Sequence, residues 1–156
     1  MMMASLLRGA AALLLAGLLA GCATSPPARS DNICLIFSEK ADWFDDAARA
    51  ERRWDIPIPV LMAIMYQESS FKAKAKPPRL KLFGLIPWRR PSTAYGYAQV
   101  KNETWDDYVE AEGGLFSDRD DFRDAIDFMA WYNRASVKEL GLKPNDAYSL
   151  YLAYHD

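Results

Sequence analysis

Pro59-Val60-Leu61-Met62-Ala63-Ile64-Met65-Tyr66-Gln67-Glu68-Ser69-Ser70-Phe71 is an almost unbroken apolar run that opens on a proline and closes on an acid and two serines. Proline is tolerated in the first turn of a helix, where its missing N–H would have had no partner. The run therefore predicts a helix from about Pro59 to about Ser70. By the 3.6-residue repeat, Glu68 falls about 20° from Leu61, about 40° from Ile64 and about 60° from Met65 around the axis. A carboxyl group on that stripe faces the domain interior or a cleft cut into it. Desolvation there disfavours the charged form, and the negative end of the helix dipole repels an anion. Both effects hold the proton near neutrality, as a general acid requires. Position alone also leaves open an idle, solvated glutamate at a fraying helix end.

Working outward, the periodicity predicts a mainly α domain. One helix covers about Glu39–Trp54 with Ser38 as N-cap, and a shorter one lies around Asn102–Ala111. A long helix runs from Asp118 to about Leu140, with Ser117 as cap and Gly141 as its stop. A last helix follows Asn145. Between the second and third of these elements, Lys72–Ser92 holds Pro77, Pro78, Pro87 and Pro91. It reads as a long Pro-rich loop in which Leu82–Trp88 forms a small hairpin. The chain has 156 residues, 51% hydrophobic and 26% charged, enough for one compact domain and unlike a disordered tail or a polytopic membrane protein. A net charge of −2 argues against nucleic acid as a partner. The charge is uneven: residues 69–102 include Lys72, Lys74, Lys76, Arg79, Lys81, Arg89, Arg90 and Lys101 and no acid.

The N-terminus reads as an address. Residues 1–21 carry a single Arg8 and then an apolar stretch shorter than the roughly 20 residues of a spanning helix, the pattern of a signal peptide. Leu19-Ala20-Gly21-Cys22 resembles the lipobox of bacterial lipoproteins. That resemblance implies cleavage before Cys22, acylation of Cys22 and, because Ala23 follows, an outer-membrane location facing the periplasm. Residues 22–32 are small, polar and Pro-containing, as suits a lipid-anchored tether. Cys34, among Ile33, Leu35, Ile36 and Phe37, reads as a buried small hydrophobe.

Gln67-Glu68-Ser69-Ser70-Phe71 resembles the Glu-Ser motif of lytic transglycosylases with a lysozyme-like catalytic domain. Ser92-Thr93-Ala94-Tyr95-Gly96-Tyr97-Ala98-Gln99 resembles their Gly-x-x-Gln motif, and Ala130-Trp131-Tyr132-Asn133 their Tyr-Asn motif. Tyr151-Leu152-Ala153-Tyr154-His155 resembles the late segment that supplies an active-site tyrosine. Four motifs in order, with a lipobox, are most similar to the membrane-bound endolytic murein transglycosylases, over about residues 33–156.

The resemblance implies a lysozyme-like (SLT-type) fold and a peptidoglycan substrate, with no metal and no cofactor. It implies that Glu68 alone acts as acid and base at the bond between N-acetylmuramic acid and N-acetylglucosamine, leaving 1,6-anhydromuramoyl ends. The sequence itself adds that the next acid after Glu68 is Glu103, beyond the Gly-x-x-Gln motif. No second carboxylate occupies the intervening loop, where a two-carboxylate glycosidase of the lysozyme kind would carry one. Substrate contacts are implied for Ser69, Gly96, Tyr97, Gln99, Asn133 and Tyr154. Ser69 reads equally as a helix cap, and Gly96 and Gln99 as a turn glycine and a surface glutamine. Tyr95, Tyr97, Trp88 and Phe71 are candidates to stack on sugar rings. Tyr132 reads as packing and His155 as solvated. Cell-wall remodelling proteins are further expected partners. A non-catalytic peptidoglycan-binding lipoprotein and a hydrolytic muramidase are the alternative functions. Two departures stand out. Tyr97-Ala98 replaces the usual Leu-Met, as in the endolytic membrane-bound subgroup. The family also continues past the Tyr154-His155 segment, so the sequence reads as truncated or as a short member.

Overall fold

The computed structural model describes residues 25–155. The proposed signal peptide and Cys22 lie outside the described residues, as does the start of the tether.

Six helices and one small hairpin make up the described chain, and the helices do the packing. Helix α1, Ile33–Glu39, is capped by Asn32, whose side chain accepts from the Cys34 and Leu35 amides. The chain breaks at Lys40 and continues as α2, Ala41–Trp54. The sequence predicted one helix from Glu39 capped by Ser38; instead Lys40 stands at the start of α2 without a side-chain cap bond. Cys34 is exposed, not buried, because α1 turns Ile36 inward and leaves Cys34 on its outer face.

Helix α3, Ile58–Ser69, follows Pro57 and carries Pro59 in its first turn. Its leading amide is satisfied from a neighbour: Ile58 N donates to Glu51 Oε1 at 3.0 Å. Val60, Leu61, Met62, Ile64, Met65 and Ser69 are all buried, so α3 is a central helix wrapped on most sides. It ends where Ser70 and Phe71 both adopt positive φ, turning the chain sharply after Glu68 and Ser69.

The long loop contains an antiparallel hairpin of β1, Lys81–Leu82, and β2, Ile86–Pro87, with Leu82 opposite Ile86. Helix α4 is Asn102–Ala111. Helix α5, Phe122–Leu140, is the spine of the fold. Its predicted start at Asp118 is displaced to Phe122 because Asp121 supplies the cap, accepting from the Arg123 and Asp124 amides. Gly141 ends it at φ 67°, as predicted. Helix α6, Ala147–His155, packs across α5 and α3.

The core draws on residues between Ile36 and Leu150. Trp43 of α2 stacks on Phe122 of α5 at 4.0 Å with rings 2° from parallel, and Tyr97 meets both edge-on at 5.6 and 5.7 Å. The edge-on contacts of Tyr97 suit the ring quadrupoles.

Candidate active site

The short turn from Ala94 to Val100 is tightly constrained. Tyr95 and Val100 bridge, Gly96 sits at φ 82°, and Gln99 is at φ 48°. A Cβ on Gly96 would lie 2.0 Å from the Arg119 carbonyl oxygen, so only glycine fits. Gly96 N donates to Ala75 O at 3.1 Å, and Gln99 Nε2 donates to both Ala75 O (3.0 Å) and Gly96 O (2.9 Å). The glutamine thus ties its own turn to the segment following α3. With its nitrogen committed, the side chain has a carbonyl acceptor to offer a ligand.

That turn, the end of α3 and the inner face of α6 enclose a cleft of about 410 Å³. Gln67 and Glu68 line one wall, Gln99 and Lys101 another, and Tyr151, Tyr154 and His155 close the third, with Phe128 and Tyr132 of α5 behind. Tyr154 is the clasp: its hydroxyl donates to Ala98 O at 2.7 Å, fastening α6 to the turn before Gln99. Its ring meets Tyr132 edge-on at 5.2 Å. Burial, helped by the nearby Glu68 charge, pushes the Tyr154 hydroxyl well above the ordinary phenol range, so it keeps its proton and donates.

Glu68 is half-buried at this junction. Burial pushes its carboxyl above the usual carboxylate range, while the neighbouring His155 pulls it part of the way back. Glu68 is the one carboxylate among the described residues that line the cleft. The group is therefore an acid inclined to hold its proton, facing a cavity walled by phenols and amides.

The predicted site residues separate into two sets. Glu68, Gln99 and Tyr154 line the cleft; Ser69, Gly96, Tyr97 and Asn133 do not. Ser69 is buried, with Oγ donating to Met65 O at 3.3 Å within its own helix. Gly96 shapes the turn. Tyr97 is corrected from a sugar contact to a core residue: it is boxed between Trp43 and Phe122, and burial pushes its hydroxyl up to about 12. Asn133 is fully buried, its Nδ2 donating to Met129 O at 2.8 Å and its Oδ1 without a partner among the described residues.

The stacking candidates also move. Phe71 is core. Tyr95 gives its hydroxyl to Asp120 at 2.8 Å and lies beneath Lys76 and Arg119. Trp88 is exposed on the hairpin, away from the cleft lining. The aromatic walls come instead from Phe128, Tyr132, Tyr151 and Tyr154. Tyr132 and His155, assigned no contact from sequence, both face the cavity. The signal for this was present: Tyr151, Tyr154 and His155 are spaced i, i+3, i+4 and share one helix face.

No curated protein and no solved structure matches the chain. A protein-family model does: the Transglycosylase SLT domain matches residues 10–156. The helix-rich fold and the match over most of its length agree, and the chain belongs to the Transglycosylase SLT domain family, a peptidoglycan lytic transglycosylase by kind.

Proposed function

We propose that the protein cleaves the β-1,4 bond between N-acetylmuramic acid and N-acetylglucosamine, with Glu68 as sole acid and base and a 1,6-anhydromuramoyl end as product. The observation that carries this reading is that Glu68, alone among the carboxylates of the described residues, lines the cleft and is lifted toward its protonated form by burial. Glu68 protonates the glycosidic oxygen as the bond to muramoyl C1 breaks. The muramoyl N-acetyl oxygen supports the electron-poor C1, a recognised substitute for a second carboxylate. Ionised Glu68 then takes the proton of the C6 hydroxyl while O6 attacks C1. The ring closes, water is not consumed, and Glu68 ends as it began. Gln99 accepts an acetamido N–H, and Tyr154 is a positioning residue that keeps the Gln99 turn against α6. Asn133 and Ser69 support the cleft without lining it. The protein acts from the outer membrane, held by an acylated Cys22.

Mass analysis of digested peptidoglycan tests the chemistry. The expected products carry anhydromuramoyl ends without oxygen from labelled water. Reducing muramic acid bearing that label identifies a hydrolytic muramidase and overturns the one-acid mechanism. Glu68→Gln is expected to lower turnover by about a hundredfold or more while sacculus binding persists; undiminished turnover removes Glu68 from the reaction.

A further inference from the structure

The hairpin β1–β2 is built outward. Phe83 is 87% exposed and Leu85 83% exposed at its tip, and Leu82, Ile86 and Trp88 are exposed behind them. The turn has positive φ at both central positions, 53° at Phe83 and 75° at Gly84. Phe83 and Gly84 are the central residues of a β-turn closed by Leu85 N donating to Leu82 O at 3.2 Å, and a turn of this hand selects Asn, Asp or Gly at its first central position, where phenylalanine is strained. A phenylalanine held there against backbone preference serves its side chain rather than the turn.

The charges around it have one sign. Arg79, Lys81, Arg89 and Arg90 flank the apolar tip and form no ion pair with any described acid. Arg79 and Arg90 also donate to the Trp88 and Pro77 carbonyls, which fixes the two guanidinium groups at the hairpin base. From Arg79 to Arg90 the sequence holds no acid, amide or hydroxyl side chain, so it has no side-chain acceptor with which to read a sugar. Leu115 and Phe116 form a contrasting patch. They are equally exposed, but Phe116 lies beside Asp118, Asp120, Asp121 and Asp124.

We propose that this hairpin is a membrane-docking element, whose apolar tip enters the interface of an anionic lipid surface while its basic base meets the phosphates. Apolar and aromatic residues at the tip with Lys and Arg behind them match the layering of that interface. No described helix is long and apolar enough to cross a membrane, so the contact is peripheral. Near the start of the described chain, Pro26 lies beside Lys72–Ala75, the segment that precedes the hairpin. Cys22 is four residues earlier, within about 14 Å of extended chain. A lipid anchor on Cys22, as proposed above, would hold the chain at the same kind of surface. The hairpin's own affinity does not rest on that anchor. Pro77 and Ser92, which flank the hairpin in the loop that carries it, line the cleft, so docking would bring the cleft near the membrane.

The test uses residues 23–156, which retain every core residue and carry no lipid, in sedimentation with vesicles of phosphatidylcholine alone or with 30% phosphatidylglycerol. Binding is expected to the anionic vesicles, with loss in high salt. Lys81→Gln with Arg89→Gln should weaken it by more than tenfold, at about fivefold per charge. Phe83→Asn with Leu85→Ser should abolish it; because Asn-Gly suits the turn, unfolding cannot account for that loss. Leu115→Ser with Phe116→Ser should leave it unchanged. Brominated lipid should quench Trp88, and Trp88→Phe should remove that quenching. Equal vesicle binding by the Phe83/Leu85 variant overturns the proposal. So does a Phe83/Leu85 variant that loses sacculus binding or self-association but keeps its lipid affinity. Turnover is not measured, so failure here leaves the glycan chemistry untouched.

Discussion

Glu68 has a history written in solvent. The unfolded chain presents it to water, and folding moves it to a cleft wall where its charged form is disfavoured. Its folded pKa is therefore above its unfolded one, and the native state binds more protons between the two values. Stability contributed by the protonated acid is present below the unfolded pKa and is lost as pH rises through the folded one. Two outcomes follow. Glu68→Gln should melt higher than the parent at pH 8, with the difference vanishing near pH 4 in calorimetric scans. Activity should fall along an alkaline limb set by Glu68 ionisation, and His155→Ala should move that limb to higher pH, since His155 pulls the carboxyl down. A limb that stays in place would show that His155 does not reach the acid. Gly96 gives a second prediction at this scale. Gly96→Ala meets the Arg119 carbonyl as well as an unfavourable φ, and should cost about 2–4 kcal/mol in urea unfolding.

At the scale of elements, the helix ends explain what could be read in the chain and what could not. Asn102–Ala111 and the stop at Gly141 follow from periodicity and a left-handed cap, both local signals, and the structure keeps them. The start of α5 was misplaced because Ser117, Asp118 and Asp121 are all competent caps, and only tertiary packing of Phe122 against Trp43 selects the last. Helix α1 was missed for a related reason: Asn32 is a good cap, but the polar stretch before it reads as tether. Burial raises the carboxyls of Asp46 and Asp124; the Asp121 charge pushes both in the same direction, against the pull of Arg49 on Asp46 and of the Asp118 amide on Asp124. Asp121→Ala should cost about 1 kcal/mol for the lost cap, whereas Asp121→Asn keeps the cap, relieves the repulsion and should be neutral or stabilising. Equal losses in thermal unfolding would mean that the charge, not the cap, matters.

Across the whole molecule, the cleft and the scaffold are held by different polar groups. Asp127 of α5 accepts from Arg53 Nη1 at 2.8 Å, Trp54 Nε1 at 3.1 Å and Tyr108 Oη at 2.8 Å, joining α2, α4 and α5 without contributing to the cleft lining. Arg53 extends the network to Glu112 at 2.7 Å. Asp127→Ala strands several donors at once and should cost about 2–3 kcal/mol in denaturant unfolding, with the pH profile of turnover unmoved. A profile shifted along with stability would tie this network to the acid. None of these long-range pairings is legible in sequence, because nothing local relates Arg53 to Asp127. The motif residues were legible as a set, yet their division into Glu68, Gln99 and Tyr154 on the surface of the cleft and Tyr97 and Asn133 away from its lining needed three dimensions.

The bond from Tyr154 to the Ala98 carbonyl spans 56 positions of chain, and the helix that carries it is the last to be synthesised of those described. Without α6 the cleft lacks the wall made by Tyr151, Tyr154 and His155. The cleft is complete only once two stretches far apart in the chain have met.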